Sequence, residues 1–195
     1  MRKLLIASVL TLMIMDVFSQ QSSLDRQPVA AGRFYAASGK TLEKDLVELF
    51  ESCVKTQASA GKVRAIISPH AGYVYSGKVA ASAFAAIGRK ASYKNIFLIG
   101  SSHVKAFAGA SPYGSGDFIT PLGKAAVNRE IVNKLRENRL FSFPTDAHNQ
   151  EHSLEVQVPF IQWYFQNQPA LVPIIIGTNR AEDIKKMAEI LRPWF

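Results

Sequence analysis

A chain of 195 residues has the length of one ordinary domain and can bury a sizeable core. Its 48% apolar and 19% charged content places it among globular proteins. The net charge of +8 invites a nucleic-acid reading. The basic residues, however, alternate with Asp and Glu along the predicted helices and no nucleic-acid motif accompanies them, so no nucleic-acid partner is expected.

The chain begins Met1-Arg2-Lys3, then runs apolar from Leu4 to Met15 until Asp16 breaks the run, and Val17-Phe18-Ser19 follow. A short basic start, an apolar stretch and small or medium residues are the three parts of a secretory signal peptide, here residues 1–19. The run falls short of the roughly 20 apolar residues a membrane span needs, and no cysteine lies near its end, so no stable membrane anchor is expected. The reading is an exported protein, periplasmic or secreted; a buried N-terminal helix is the alternative.

Residues 20–27 are a polar lead-in. Ser38-Gly-Lys-Thr41 resembles the end of a phosphate loop, but Phe34 stands where that loop needs its first glycine and no strand leads in. It reads instead as a helix start with Thr41 as N-cap, followed by Leu42, Leu46, Leu49 and Phe50 at helical spacing. Cys53 is the only cysteine, which rules out an intramolecular disulfide; it reads as a small buried apolar residue.

The apolar run Ala65-Ile66-Ile67 stops at Ser68-Pro69 and delivers His70 into a turn containing Gly72. A helix of small residues is predicted from about Lys78 to Ile87. Asn95–Gly100 is a second apolar run, and Ser101-Ser102-His103 follows it. Two predicted strands thus each end in a histidine. Open α/β sheets bind ligands at the carboxyl ends of their strands, so parallel neighbours would bring His70 and His103 to one rim. Imidazole is the commonest side-chain metal ligand, and two on a rim are half of a metal site. The alternative is two loop histidines bonded to backbone.

Residues 104–122 are rich in Gly, Ser, Pro and aromatics; Ala108–Ser111 and Asp117–Thr120 read as short strands covering an edge of the cleft. Lys124–Asn138 is predicted as an amphipathic helix with Val127, Ile131, Val132 and Leu135 on one face, and residues 141–149 as a loop. His148-Asn-Gln-Glu-His152 matches the His-x-x-Glu-His pattern of a group of zinc peptidases, with Glu151 as base. The segment reads as loop rather than helix and no downstream carboxylate ligand stands out, so a zinc peptidase is the remote alternative. A helix over Ser153–Gln166 should be interrupted by Pro159. Ala170–Ile176 is a third core strand, and a last helix from Asn179 or Ala181 carries Ile184, Met187 and Leu191. Strands alternating with helices predict a three-layer α/β/α sandwich around a mostly parallel mixed sheet.

Four stretches carry a resemblance: Arg26-Gln-Pro-Val-Ala-Ala-Gly-Arg-Phe-Tyr, Ser68-Pro-His-Ala-Gly-Tyr-x-Tyr-Ser-Gly, Gly100-Ser-Ser-His, and Glu151-His-Ser-Leu-Glu-Val-Gln-Val-Pro-Phe. In this order they resemble the Memo family (AmmeMemoRadiSam system protein B), over residues 26–195. The resemblance implies the fold of class III extradiol dioxygenases, which hold Fe(II) with two histidines and a carboxylate. In Memo-like proteins a cysteine replaces that carboxylate. It implies His70 and His103 as metal ligands, Fe or Cu as the metal, and a cleft walled by Tyr73, Ser102, Glu151, His152 and Glu155. Family members run on for roughly another hundred residues, so the resemblance reads this chain as C-terminally incomplete, without the cysteine and a further histidine. Two functions follow: a redox-metal, oxygenase-type protein, or a non-catalytic module binding a small molecule or peptide. Bacterial members occur beside AMMECR-type and radical-SAM proteins, which are the partners the family implies.

Overall fold

The computed structural model describes residues 25–55, 62–142 and 145–195; the expected signal peptide, residues 1–19, lies outside them. At the centre are β1 (Asn95–Ser101), β2 (Ala110–Pro112) and β5 (Ala170–Ile176), in the spatial order β1-β5-β2. β1 and β5 run parallel, with Asn95 opposite Ala170 and Ser101 opposite Ile176. β2 pairs antiparallel with the other side of β5, so the sheet is mixed. A continuous apolar run such as Leu-Val-Pro-Ile-Ile suits a strand covered on both faces, and residues 171–175 are all buried.

Successive side chains of a strand point to opposite faces, and in β1 each direction meets helical structure. The Phe97 ring packs on Trp194 and Phe195, which follow α5 (Ala181–Leu191). On the other face, a Cβ at Gly100 would come within 2.8 Å of Leu154, so only glycine lets that segment lie so close. The expected α/β/α layering and mixed sheet are therefore present.

The helices follow the apolar spacing, with adjusted ends. α1 (Gly39–Ser52) buries Leu42, Leu46 and Phe50, and its N-cap position is Ser38 rather than Thr41. Cys53 is buried at its end. α2 (Tyr73–Ala85) begins before the expected Lys78, and its Gly77 lets Leu49 of α1 pack against the backbone. α3 (Arg129–Arg136) is shorter than expected: Asn128 caps it by accepting from the Ile131 N–H. Lys124 instead belongs to a separate hairpin of β3 (Phe118–Thr120) and β4 (Gly123–Ala125). The expected helix Ser153–Gln166 is a 3₁₀ turn, Glu155–Gln157, followed by α4 (Val158–Tyr164). Pro159 does not kink it; the proline lies in the first turn, where its missing N–H costs nothing. The loop expected after Phe141 contains a 3₁₀ turn, Thr145–His148.

One expected strand is not there. Residues 62–71 include the apolar run Ala65–Ile67 but form no strand. Strand geometry is fixed by a hydrogen-bonded neighbour, and here a cavity of about 640 Å³ lies between this segment and β1.

Candidate metal centre

Three loops deliver three histidines to one rim. His103 follows β1, His70 precedes α2, and His152 precedes the turn that leads to α4. One nitrogen of each lies within 4.8 Å of the others. Nε2 of His70 and Nε2 of His103 are 3.3 Å apart, and the His152 ring centroid lies 4.8 Å from that of His103 and 5.8 Å from that of His70.

The loops are held from behind. Gln157 Nε2 donates to the Pro69 carbonyl at 2.8 Å, and Ser76 Oγ donates to that of Ala71 at 3.0 Å. The Ser102 N–H donates to the Ile176 carbonyl at 2.9 Å, and Ser102 Oγ accepts from the Lys105 N–H at 3.2 Å. Ser102 thus shapes the turn that carries His103. The Phe34 ring packs on His152, centroid to centroid 4.4 Å.

Glu151 organises the centre electrostatically. Only 2% of it is exposed. It accepts from the backbone N–H groups of His103, His152 and Ser153 at 2.5, 2.8 and 2.9 Å. Its Oε1 also lies 2.9 Å from His103 Nδ1. Burial alone would raise its pKa, but the His103 and Ser153 amides and the His103 ring outweigh burial and hold it down at about 2. An ionised carboxylate only accepts, so a ring proton of His103 sits on Nδ1, toward Glu151, and its Nε2 faces His70. A carboxylate behind an imidazole in this way fixes its tautomer and orientation for metal binding. Burial, and then the neighbouring His103, lowers the pKa of His70. Burial and both neighbouring histidines lower that of His152 against the opposing pull of Glu151. The shifts of His70 and His152 both favour the neutral ring, the form that binds metal.

Two expected cleft residues are elsewhere. Glu155 is fully buried. It accepts from Arg26 Nη1 at 2.6 Å, the Val29 and Ala30 amides at 3.0 and 2.8 Å, and Tyr35 Oη at 2.6 Å. It pins the Arg26–Tyr35 stretch to the core and does not face the cleft. Tyr73 is buried against Tyr35 and Phe160, and its hydroxyl donates to the Val156 carbonyl. The 3₁₀ turn at Glu155 and the inward start of α2 turn both side chains into the core.

His148 does not join the cluster. It is 1% exposed, with Nε2 2.7 Å from the Ser111 carbonyl. Burial pushes its pKa down to about 4. It sits on a 3₁₀ turn, and the Glu151 carboxylate is engaged with His103, so the His-x-x-Glu-His zinc pair is not assembled. The third rim histidine, His152, is in the expected cleft but was not expected among the ligands. Arg26 was not singled out at all; its only signal is a charged residue opening a long apolar and aromatic motif.

Comparison with known proteins identifies the family. The family described as Memo-like protein matches residues 26–194. A MEMO1 family protein of Thermoplasma volcanium is 35% identical over 154 residues, covering 78% of this chain and 55% of the relative. One of Pyrococcus abyssi is 33% identical over 165 residues, covering 83% and 56%. One of Methanosarcina barkeri is 32% identical over 166 residues, covering 85% and 60%. These relatives are archaeal and lend no support to a bacterial source. The chain spans just over half the length of the curated relatives it matches. With most of its length matched and the three histidines on one rim, the chain belongs to the Memo family.

Proposed function

We propose that this chain holds a redox-active transition metal, Fe or Cu, on His70, His103 and His152 and serves oxygenase-type chemistry on a small molecule. The observation that carries the reading is the convergence of three imidazoles with a buried carboxylate behind one of them. Imidazole donors suit Fe and Cu, and three protein ligands with a position left open is the arrangement of catalytic rather than structural centres. When bound, such a metal supplies Lewis acidity and one-electron redox chemistry at that open position. Glu151 keeps the His103 proton on Nδ1, and Gln157 holds the His70 loop. A cavity of about 640 Å³ extends from His70 and Ser68 along β1 to Phe97, giving a ligand an approach to the rim. The dioxygenase likeness implied by the family favours this reading; export enters on the residue pattern of positions 1–19, and the AMMECR-type and radical-SAM partners on family association alone.

The test is anaerobic loading with Fe(II) and separate loading with Cu, followed by metal analysis. One metal per chain is expected, with at least a tenfold weaker affinity in each of His70→Ala, His103→Ala and His152→Ala. An unaltered chain that retains no metal, or a His152→Ala variant that binds as tightly as the parent, would overturn it. A second reading, a non-catalytic module for a peptide or small molecule, is favoured by exposed apolar residues beside His70: Ile67 at 97%, Val74 at 93% and Tyr75 at 87%. Full metal loading without ligand-dependent oxygen uptake would select it.

A further inference from the structure

Residues 145–152, which end in Glu151 and His152, are held to the molecule at few points. Among the described residues their backbone–backbone hydrogen bonds stay local: the Asn149 N–H donates to the Asp146 carbonyl at 3.1 Å and the Glu151 N–H to that of His148 at 3.4 Å. Asp146, Asn149 and Gln150 are exposed, while Ala147 and His148 between them are buried. The His148 ring reaches across to β2, its Nε2 2.7 Å from the Ser111 carbonyl. A carbonyl only accepts, so Nε2 carries the ring proton. Arg26 holds the main chain behind the ring, donating to the His148 carbonyl at 2.9 Å and to that of Glu151. On the outside, Asp146 meets Lys105 in a half-exposed pair, which water screens.

This anchorage suits a neutral ring and not a charged one. Two cations face it from separate elements. Arg26 is fixed by Glu155, and Arg136 of α3 donates to the Pro112 carbonyl, next to Ser111, at 2.8 Å. Tyr113 packs on the ring with centroids 5.2 Å apart, and burial keeps it a neutral phenol. The Glu151 carboxylate pulls the other way, but it is engaged with three amides and the His103 ring. An imidazolium at this place would be desolvated between two cations, the costliest setting for a buried charge. Burial first, then Arg26 and Arg136, against the Ser111 hydrogen bond, push the His148 pKa down to about 4. A recess of about 510 Å³, lined by Arg26, Tyr113, Asn149 and Gln150, lies against the segment and gives the ring a way to water.

We propose that His148 is a proton-operated latch: on taking up a proton from solvent its ring leaves the Ser111 carbonyl, and residues 145–152 swing out and withdraw Glu151 and His152 from the rim while the sheet stays folded. The sign follows from linkage. In the released segment the ring titrates near the ordinary 6.5, and in the latched segment it stays neutral to about 4. Acid therefore favours release, by up to about thirtyfold between pH 7 and pH 5. Where a metal sits on the rim, the same step removes one of its three ligands and the carboxylate behind another. That consequence rests on the metal reading; the opening of the segment does not.

Amide hydrogen exchange on the metal-free chain tests it, with protection taken relative to unstructured peptide at each pH. From pH 7 to pH 5, protection at residues 147–153 should fall at least about tenfold while residues 171–175 of β5 keep theirs. In His148→Gln, which keeps a donor and takes up no proton, protection at 147–153 should not change with pH. A second measurement does not depend on that variant folding. Followed by NMR in the unaltered chain, proton uptake by the His148 ring should have the same midpoint as the loss of protection. Uptake without loss of protection would overturn the latch, as would a loss that is equal at 171–175 or unchanged in His148→Gln. On the chain loaded with Zn(II), affinity should fall at least about tenfold further between pH 7 and pH 5 in the parent than in His148→Gln. Equal losses would overturn the withdrawal of His152. A chain that takes up no Zn(II) at pH 7 fails the metal reading alone, because the exchange measurement needs no metal.

Discussion

Glu151 and Glu155 lie four positions apart, both are buried, and both are saturated with donors. Glu155 faces a fixed cation, Arg26, with two backbone amides and a tyrosine hydroxyl. Every partner points inward, and the cluster ends there. Glu151 gathers three backbone amides and one imidazole. The other nitrogen of that imidazole stands on an open rim beside two more histidines. Burial and hydrogen-bond satisfaction therefore do not separate a structural carboxylate from a functional one. What lies on the far side of its partner does.

The largest effect is expected at Glu155. Glu155→Ala leaves the Arg26 guanidinium buried without its counter-charge, a change that costs about 3–5 kcal/mol. For a chain of this size each kcal/mol moves Tm by about 2–4 °C, so thermal unfolding should shift by roughly 10 °C. Metal bound per folded chain should stay the same. A melt within about 2 °C of the parent would show that Arg26 finds enough compensation in the His148 and Glu151 carbonyls it also contacts.

His148 comes next, through pH. Its folded pKa of about 4 lies below the ordinary 6.5 of an unfolded chain. The unfolded state takes up a proton as pH falls past 6.5, and the folded state does so only near 4. Stability from this group is thus complete above about pH 7 and is lost progressively between about 6.5 and 4. The full loss is on the order of 3 kcal/mol. Denaturant titrations across that range should show the slope, and His148→Gln should flatten it. An unchanged slope in the variant would assign the acid limb to other groups.

Glu151→Gln sharpens the comparison directly. The amide keeps the shape but removes the charge that holds the His103 proton on Nδ1. Loss of such an outer partner typically weakens metal affinity about 10- to 100-fold, or about 1.4–2.7 kcal/mol. Competition with a chelator of known affinity measures it. The signature is a split: Glu155→Ala moves Tm and spares metal per folded chain, whereas Glu151→Gln moves metal affinity more than Tm. Affinity equal to the parent would remove Glu151 from the site.

The sequence carried the sheet's spine and two of the three rim histidines. Ala170–Ile176 and Asn95–Gly100 were legible because a doubly covered parallel strand must be apolar throughout, and both formed where expected. Ala65–Ile67 has the same pattern and no strand, because pairing depends on a neighbour rather than on local preference. His70 and His103 were legible as ends of apolar runs. His152 as a third rim nitrogen was not, since the backward turn at Ser153–Leu154 has no periodic signal. Glu155 could not be told from Glu151 by sequence, because the discriminating partner, Arg26, is more than a hundred residues away.

A third carboxylate sets the lower bound of the comparison. Glu182 on α5 meets Lys186 at 2.5 Å, a contact as short as that of Glu155 with Arg26 at 2.6 Å. Its pKa is lowered too, chiefly by the hydrogen bond from Lys186. Distance would rank the two pairs equal. Solvent separates them: both members of the Glu182–Lys186 pair are half or more exposed, so water screens the attraction and already solvates either charge when its partner is removed. Nothing is left desolvated, which is the step that makes Glu155→Ala costly. Glu182→Gln should therefore leave Tm unchanged within error, and raising the salt concentration should leave parent and variant indistinguishable. A shift approaching that of Glu155→Ala would mean that contact geometry, not burial, sets the cost of losing a carboxylate in this protein.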